Sequence, residues 1–356
     1  MKGKEIIALL GILLGCVACA KQAYYIDTYT RKSDQGEYAI RWDVKPGMQG
    51  YVEIYASPDP TYFPQHPFLV EQISKEGARY ATPSSAYSQI YFLLVFNDSE
   101  ARVVTSRIIP TQGILNLRDF GGYETSDGQQ IRWGYLYRSG DLHRMSELDR
   151  YRLSALGIRS QFILSPSRLC SQEKTGLAHL PGLSSFEVPP VHPIDYDALV
   201  RSIYQGQLTT EGVRHLQQEA LHSIAFDNRE QNAQVLHALL DRDNYPILLT
   251  DELGTLHTAF LAMLVQEILG LSRADILYDY TLSDDLLPIS LIAPEGYMYP
   301  AEAQEALTEF FRCDPNLLNN VIREIEAKYG SLAQYLKEEL HFDERNVADL
   351  RRLLLN

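Results

Sequence analysis

The chain has 356 residues with 46 acidic against 32 basic side chains, a formal net charge of −14. That balance lacks the clustered Lys and Arg that a phosphate backbone demands, so no nucleic-acid partner is expected, and it disfavours long-range capture of highly anionic ligands. The length exceeds one ordinary core and predicts two domains.

Residues 1–19 open with Lys2 and Lys4, continue as an apolar run from Ile6 to Leu14, and end in small residues and cysteine. This is a secretory leader, too short for a stable membrane span. Leu13-Leu14-Gly15-Cys16 resembles the lipobox of bacterial lipoproteins, which implies lipidation at Cys16, with Cys19 as the alternative and an ordinary cleaved signal peptide as the competing reading. The expected location is the cell envelope, periplasm-facing or at the surface, with attachment to the membrane through lipid only. No later stretch approaches the roughly 20 apolar residues of a membrane helix.

Residues 24–110 alternate in strand fashion through YYIDTYTR, EYAIRWDV, GYVEIYAS, QIYFLLVFN and ARVVTSRII, with turns at Lys45-Pro46-Gly47, Ser57-Pro58-Asp59-Pro60 and Asn97-Asp98. Short Tyr-, Val- and Ile-rich strands of this kind predict a small all-β sandwich of immunoglobulin or fibronectin type. Trp42 and Tyr55 read as core or tyrosine-corner residues.

Residues 111–356 change to strands interleaved with helices, an α/β pattern with a central sheet flanked by helices. Ser146 to Leu156 reads as a helix with a Ser N-cap, stopped at Gly157. Ile158 to Leu164 is a strand, and residues 195–240 are largely helical. Tyr245 to Leu249 forms a buried strand, after which Thr255 or Thr258 opens an apolar helix that ends at Gly270. Strand, Gly-containing loop and helix N-terminus in that order are a ready anion-binding geometry. Cys170 and Cys313 are the cysteines outside the leader, and an exported compartment would permit a bond between them without showing one. No CxxC, HExxH or clustered His/Cys spacing occurs, so neither a metal nor another cofactor is predicted.

Asn116-Leu117-Arg118-Asp119-Phe120-Gly121-Gly122-Tyr123 resembles the NLRD-x-GG-Y motif of the bacterial secreted tyrosine-phosphatase family. Asp127-Gly128, Trp133-Gly134, Tyr137-Arg138-Ser139-Gly140-Asp141-Leu142, Leu156 to Arg159, Asp279 to Asp284 and Tyr329 to Leu336 continue the likeness in family order. The resemblance implies a cysteine-phosphatase-like domain acting on phosphotyrosine, phosphoserine/threonine or phosphoinositides. The family's phosphate loop reads His-Cys-x-x-Gly-Lys-Asp-Arg-Thr-Gly. Here Asp251 stands at the Cys position, Thr255 and Leu256 at the Lys and Asp positions, and His257 at the Arg position, while Gly254 and Thr258 are retained. Ile163-Leu164-Ser165-Pro166 replaces a polar strand end as well.

Those substitutions remove the chemistry piece by piece. A thiolate nucleophile is absent. Asp251 suits a helix N-terminus, by about 0.3 to 1 kcal/mol, yet opposes a phosphate about 4 Å away by on the order of 4 kcal/mol at an effective dielectric near 20. His257 cannot form the bidentate fork of an arginine, and Leu256 cannot protonate a leaving group. The segment also resembles the hhhh-D-x-D-G-T-L loop of haloacid-dehalogenase-type phosphatases, but Leu253 stands where that chemistry needs its second Asp. Arg118, Asp119, Arg138, Asp251 and His257 are the ligand-binding candidates. Bracing of loops by Arg118, Asp119 and Arg138, a capping or packing role for His257, and capping of the next helix by Ser283-Asp284-Asp285 are the structural alternatives. The expected function is that of a pseudophosphatase lipoprotein, binding or scaffolding a phosphorylated or other protein or a small molecule. The alternatives are an active phosphoric monoester hydrolase with altered chemistry built on Asp251, Glu252 and His257, and an envelope protein of purely structural role.

Overall fold

The computed structural model describes residues 24–33, 35–81, 89–165 and 182–356. The leader with Cys16 and Cys19, and also Pro166 and Cys170, lie outside the described residues. No helix among the described residues is long and apolar enough to cross a membrane.

Period-two alternation builds the first module. Strand β1 (Tyr25–Lys32) and β2 (Glu37–Lys45) turn Ile26, Tyr38, Ile40 and Trp42 inward; β3 (Tyr51–Ser57) turns in Val52 and Ile54. Two short strands follow, β4 (Leu69–Gln72) and β5 (Gly77–Ala81), then β6 (Tyr91–Phe96) and β7 (Glu100–Val104). The antiparallel sheets β1-β2-β5 and β4-β3-β6-β7 share one hydrophobic core between them. Tyr38 meets Phe92 edge to face at 5.1 Å between centroids, and Trp42 Nε1 donates to Ile73 O at 2.8 Å, satisfying its one polar atom. Tyr55 is not core, contrary to expectation. It is half-buried, and its hydroxyl donates to Glu53 Oε2 at 2.7 Å.

The second module is α/β. A five-stranded sheet has the order β11-β10-β12-β9-β8, from β8 (Arg118–Asp119), β9 (Leu136–Ser139), β10 (Ser160–Ile163), β11 (Ser184–Glu187) and β12 (Ile247–Thr250). All pairs are parallel except β8 with β9. All four residues of the central strand β12 are buried, as both-face coverage requires. Alternation along β9 and β12 sends Tyr137 and Leu248 to the face covered by α1 (Glu147–Leu156), while Leu136, Ile247 and Leu249 join the larger core on the other. That face is covered by α3 (Thr210–Phe226), α4 (Arg229–Ala238), α5 (His257–Leu269), α9 (Pro315–Tyr329), α10 (Leu332–Glu339) and α11 (Glu344–Leu354). Helices α2 (Tyr196–Tyr204), α6 (Arg273–Leu286), α7 (Ile289–Ile292) and α8 (Ala301–Phe311) complete the module. The first of the helices starts at Ser146 in a capping box with Asp149 and ends at left-handed Gly157.

Ser283, Asp284 and Asp285 do not cap a following helix. They sit within α6, where Ser283 faces the interior and Asp284 Oδ1 accepts the Cys313 N–H at 2.6 Å. Among the described residues Cys313 has no disulfide partner; its thiol is buried, and burial followed by Asp284 pushes its pKa up to about 12.

Candidate phosphate-loop site

The β12–α5 connection carries the sequence's phosphate-loop positions. Its first residue, Asp251, is buried, and its carboxylate is turned into the loop. Oδ1 accepts the N–H of Leu253 at 3.1 Å and also that of Gly254; Oδ2 accepts Leu256 N–H at 3.3 Å and Thr258 N–H at 2.9 Å. Four backbone donors thus converge on one carboxylate at the first turn of α5. A helix start leaves such donors without intrahelical partners, and the same convergence would hold any bound anion. The N-cap position is Leu256, which offers no side-chain cap. Neither Thr255 nor Thr258 opens the helix as expected, because Asp251 satisfies its donors from across the loop.

Gly254 makes the turn at φ +75°, and a Cβ there would lie 2.8 Å from the carbonyl carbon of Ser139 and 2.9 Å from Asn116 Nδ2. Glycine is therefore required twice over, by backbone angle and by space. The loop is pinned from below: Asn116 Nδ2 donates to Leu253 O at 3.1 Å and Gly254 O at 3.2 Å, and Arg138 Nη2 donates to Gly254 O at 2.7 Å. Asn116 belongs to the sequence motif but was missing from the candidate residues. Its φ of +60° is the local sign of a special position.

Arg118 and Arg138 meet at Asp279 on α6. Arg118 Nε reaches Asp279 Oδ1 at 3.3 Å, its Nη2 donates to Asp279 O and Ser283 Oγ, and its Nη1 donates to Asn116 Oδ1. Arg138 Nη1 donates to Asp279 Oδ2 at 2.8 Å. Burial opposes charge on Asp279, but Arg118 and Arg138 outweigh it and hold the carboxyl well below its usual range. Burial, reinforced by Arg118, lowers the Arg138 pKa to about 10, which leaves it a cation at neutral pH. All three residues brace backbone, as the structural alternative expects, but Arg118 and Asp119 do so with separate partners and not with each other. The Asp119 carboxylate accepts Gly121 N–H at 2.7 Å and Gly134 N–H at 2.8 Å, and burial raises its pKa to about 6.

His257 is buried and directed to the α3–α4 corner, where Nε2 pairs with Asn232 Oδ1 at 2.8 Å while Asn232 Nδ2 donates to Ile224 O at 2.8 Å. Burial depresses its pKa to about 4 despite the attraction of Asp251, so the ring is neutral at physiological pH. Thr258 is buried, with its hydroxyl unpartnered among the described residues. Leu253 packs into the cluster of α2, α3 and α8 that includes Ile203, Val213 and Phe310. Among the described residues no three His, Cys, Asp or Glu side chains converge as a metal site. Two cavities border the loop, about 370 Å³ on the Glu252 side and about 300 Å³ on the Thr255–Leu256 side, with Tyr196, Leu253 and Phe310 common to both.

The tyrosine phosphatase family profile matches residues 109–356. A Cupriavidus necator protein provisionally named a tyrosine-protein phosphatase is 26% identical over 258 residues, covering 67% of this chain and 85% of that one. Two solved structures of the Siw14 catalytic core, one of them described as the PP-IP phosphatase of S. cerevisiae with citrate, are 16% and 15% identical. They cover 60% and 63% of this chain, 97% and 95% of their own, at TM-scores of 0.29 and 0.28, superpositions too loose to bear on the fold.

Proposed function

We propose that this chain, which belongs to the tyrosine phosphatase family, is a pseudophosphatase with a binding or scaffolding role that does not turn over phosphate esters. The observation that carries the reading is the Asp251 carboxylate seated on four loop N–H groups. In a phosphate loop those donors belong to the substrate, and here the protein's own side chain uses them. An incoming phosphate would have to displace a charge-assisted set of hydrogen bonds while facing a like charge. The other chemical groups are equally indisposed: His257 is neutral and turned to Asn232, and the Cys313 thiol is held protonated. The same facts stand against a hydrolase using Asp251 as nucleophile, since the four hydrogen bonds that its carboxylate accepts all come from the loop's own backbone.

The test is phosphate release from p-nitrophenyl phosphate, a phosphotyrosine peptide and a phosphoinositide, with and without Mg²⁺, beside an Asp251→Cys/His257→Arg variant. No release by the unaltered chain is the expected result. Turnover that disappears in Asp251→Ala would overturn the reading and establish altered chemistry.

For location, the leader pattern at residues 1–19 supports an exported protein anchored through lipid at Cys16 or Cys19. Metabolic labelling with a radioactive fatty acid in a bacterial host should mark the chain, and one of Cys16→Ala or Cys19→Ala should abolish the label. A chain unlabelled from the outset would reject the anchor. The immunoglobulin or fibronectin reading of the first module is supported by its three- and four-stranded antiparallel sheets around one core.

A further inference from the structure

The substitutions that remove the phosphate chemistry also line a cavity. Thr255 and Leu256, at the positions where the resembled family has Lys and Asp, join Leu253 along the loop side of a space of about 300 Å³. Its apolar walls include Ile194, Leu199, Leu208, Val213, Leu216 and Phe310, contributed by α2, α3, α8, the segment before α2 and the α2–α3 connection. Where a charged rim would greet a phosphate ester, this loop presents a leucine pair to an apolar chamber. A chamber of that size falls at the lower end of the range for small-molecule sites.

One polar atom on the wall has no partner. Gln217 is 8% exposed and its Nε2 donates to Phe310 O at 3.1 Å, one of the last carbonyls of α8. A carbonyl oxygen can only accept, so this contact fixes the amide orientation and leaves Oε1 as the unpaired acceptor. Oε1 is buried and has no hydrogen-bond partner among the described residues. Buried acceptors are rarely left unmet, and an unmet one on the wall of a largely apolar cavity, whose other polar lining is Asp195, Tyr196 and Thr255, points to a donor as the missing group.

We propose that this cavity is a binding site for a small molecule with an apolar body and a single hydroxyl or N–H donor, the donor pairing with Gln217 Oε1. The assignment rests on the pseudophosphatase reading for its biological sense, since it gives the ligand class of a domain that has lost its phosphate chemistry. It stands separately on the cavity and the orphaned acceptor. Mechanistically, the apolar walls supply affinity by excluding water and the amide oxygen supplies selection, because an analogue without a donor leaves that oxygen unmet.

The experiment uses 2-naphthol and naphthalene as probes, the same fused-ring body with and without a hydroxyl, titrated into the full chain by fluorescence. Naphthol should bind at least about fivefold tighter than naphthalene, the factor expected of one buried hydrogen bond. Leu199→Trp and Leu216→Trp, at half-buried positions of the wall, should fill the cavity and abolish binding of both. Gln217→Met should bring the two affinities together. Failure of naphthol to bind, equal affinity of the two probes for the unaltered chain, or saturable binding that survives both tryptophan variants would each overturn the proposal. The ratio measured on the unaltered chain decides whether or not every variant folds. Turnover in the phosphatase assay would fail the pseudophosphatase reading alone, whereas loss of naphthol selectivity would fail this site alone.

Discussion

Asp251 and His257 stand where the resemblance would put the cysteine and arginine of a phosphate loop, and each is bound into the protein's interior. On the proposed reading, Asp251 does more than take the place of a nucleophile, because its carboxylate meets the donors that a helix start would otherwise leave open. For His257 the consequence is a pH dependence. Its pKa falls from an ordinary 6.5 to about 4 on burial, so between those values the unfolded chain takes up a proton that the folded chain refuses. Its contribution to stability is fully present above pH 6.5 and is lost as pH falls toward 4. Asp119, raised from an ordinary 3.8 to about 6, runs the other way: the folded chain holds its proton more tightly, and stability rises as pH falls through that window. The two slopes oppose each other in the unaltered protein. His257→Gln keeps a donor for Asn232 and removes one slope. Denaturant unfolding at pH 7 and pH 4.5 should show the unaltered chain losing about 2 to 3 kcal/mol relative to the variant on acidification. A stability difference that stays constant with pH would contradict a buried neutral His257.

At the scale of elements, the parts legible in sequence were those set by local pattern. The alternating segments became β1, β2, β3, β6 and β7; Ser146 and Gly157 delimit α1; and an apolar run ending at Gly270 became α5. Strands β4 and β5 escaped notice because they are short sheet-edge strands whose residues are only partly buried or exposed, which weakens the alternating signal. The cap of α5 was misread for a different reason. Capping rules look one to three residues ahead of a helix, whereas Asp251 reaches Thr258, seven residues on, through a folded loop. Arg118 and Asp119 look like a pair in sequence, but neighbours on a strand point to opposite faces. One side chain therefore goes to Asp279 and Ser283 and the other to Gly121 and Gly134. Asp279 itself lies 161 residues from Arg118, and nothing local marks it as the shared counter-ion of two arginines.

On the scale of the whole molecule, the segment joining the modules ties the sheets of the first to the strand that carries Arg118. Arg107 lies with its guanidinium 3.7 Å from the centroid of the Tyr123 ring, and its Nη1 donates to Asp119 O at 3.2 Å and Gly121 O at 2.6 Å. Trp133 Nε1 crosses the same boundary to Val103 O at 2.7 Å, and Arg102 pairs with Glu124 at 2.6 Å. The Arg102–Glu124 pair is a single half-buried ion pair, whereas Arg107, also half-buried, combines a stacked cation with two charge-assisted hydrogen bonds. With that side chain in place, docking couples the modules, and calorimetry of the unaltered chain should show one unfolding transition. Arg107→Ala removes the stack and leaves two carbonyls unmet, a loss of about 2 to 4 kcal/mol by the usual magnitudes of these contacts. The variant should unfold in two transitions, the earlier one belonging to the module whose stability depended on docking. A single transition at an unchanged Tm would mean that Trp133 and Arg102 suffice to hold the modules together. Because Arg107 binds the backbone of Asp119, one residue beyond Arg118, loosening it should also be felt at the Arg118–Asp279–Arg138 cluster beneath the loop, which gives the first module a physical path to the site in the second.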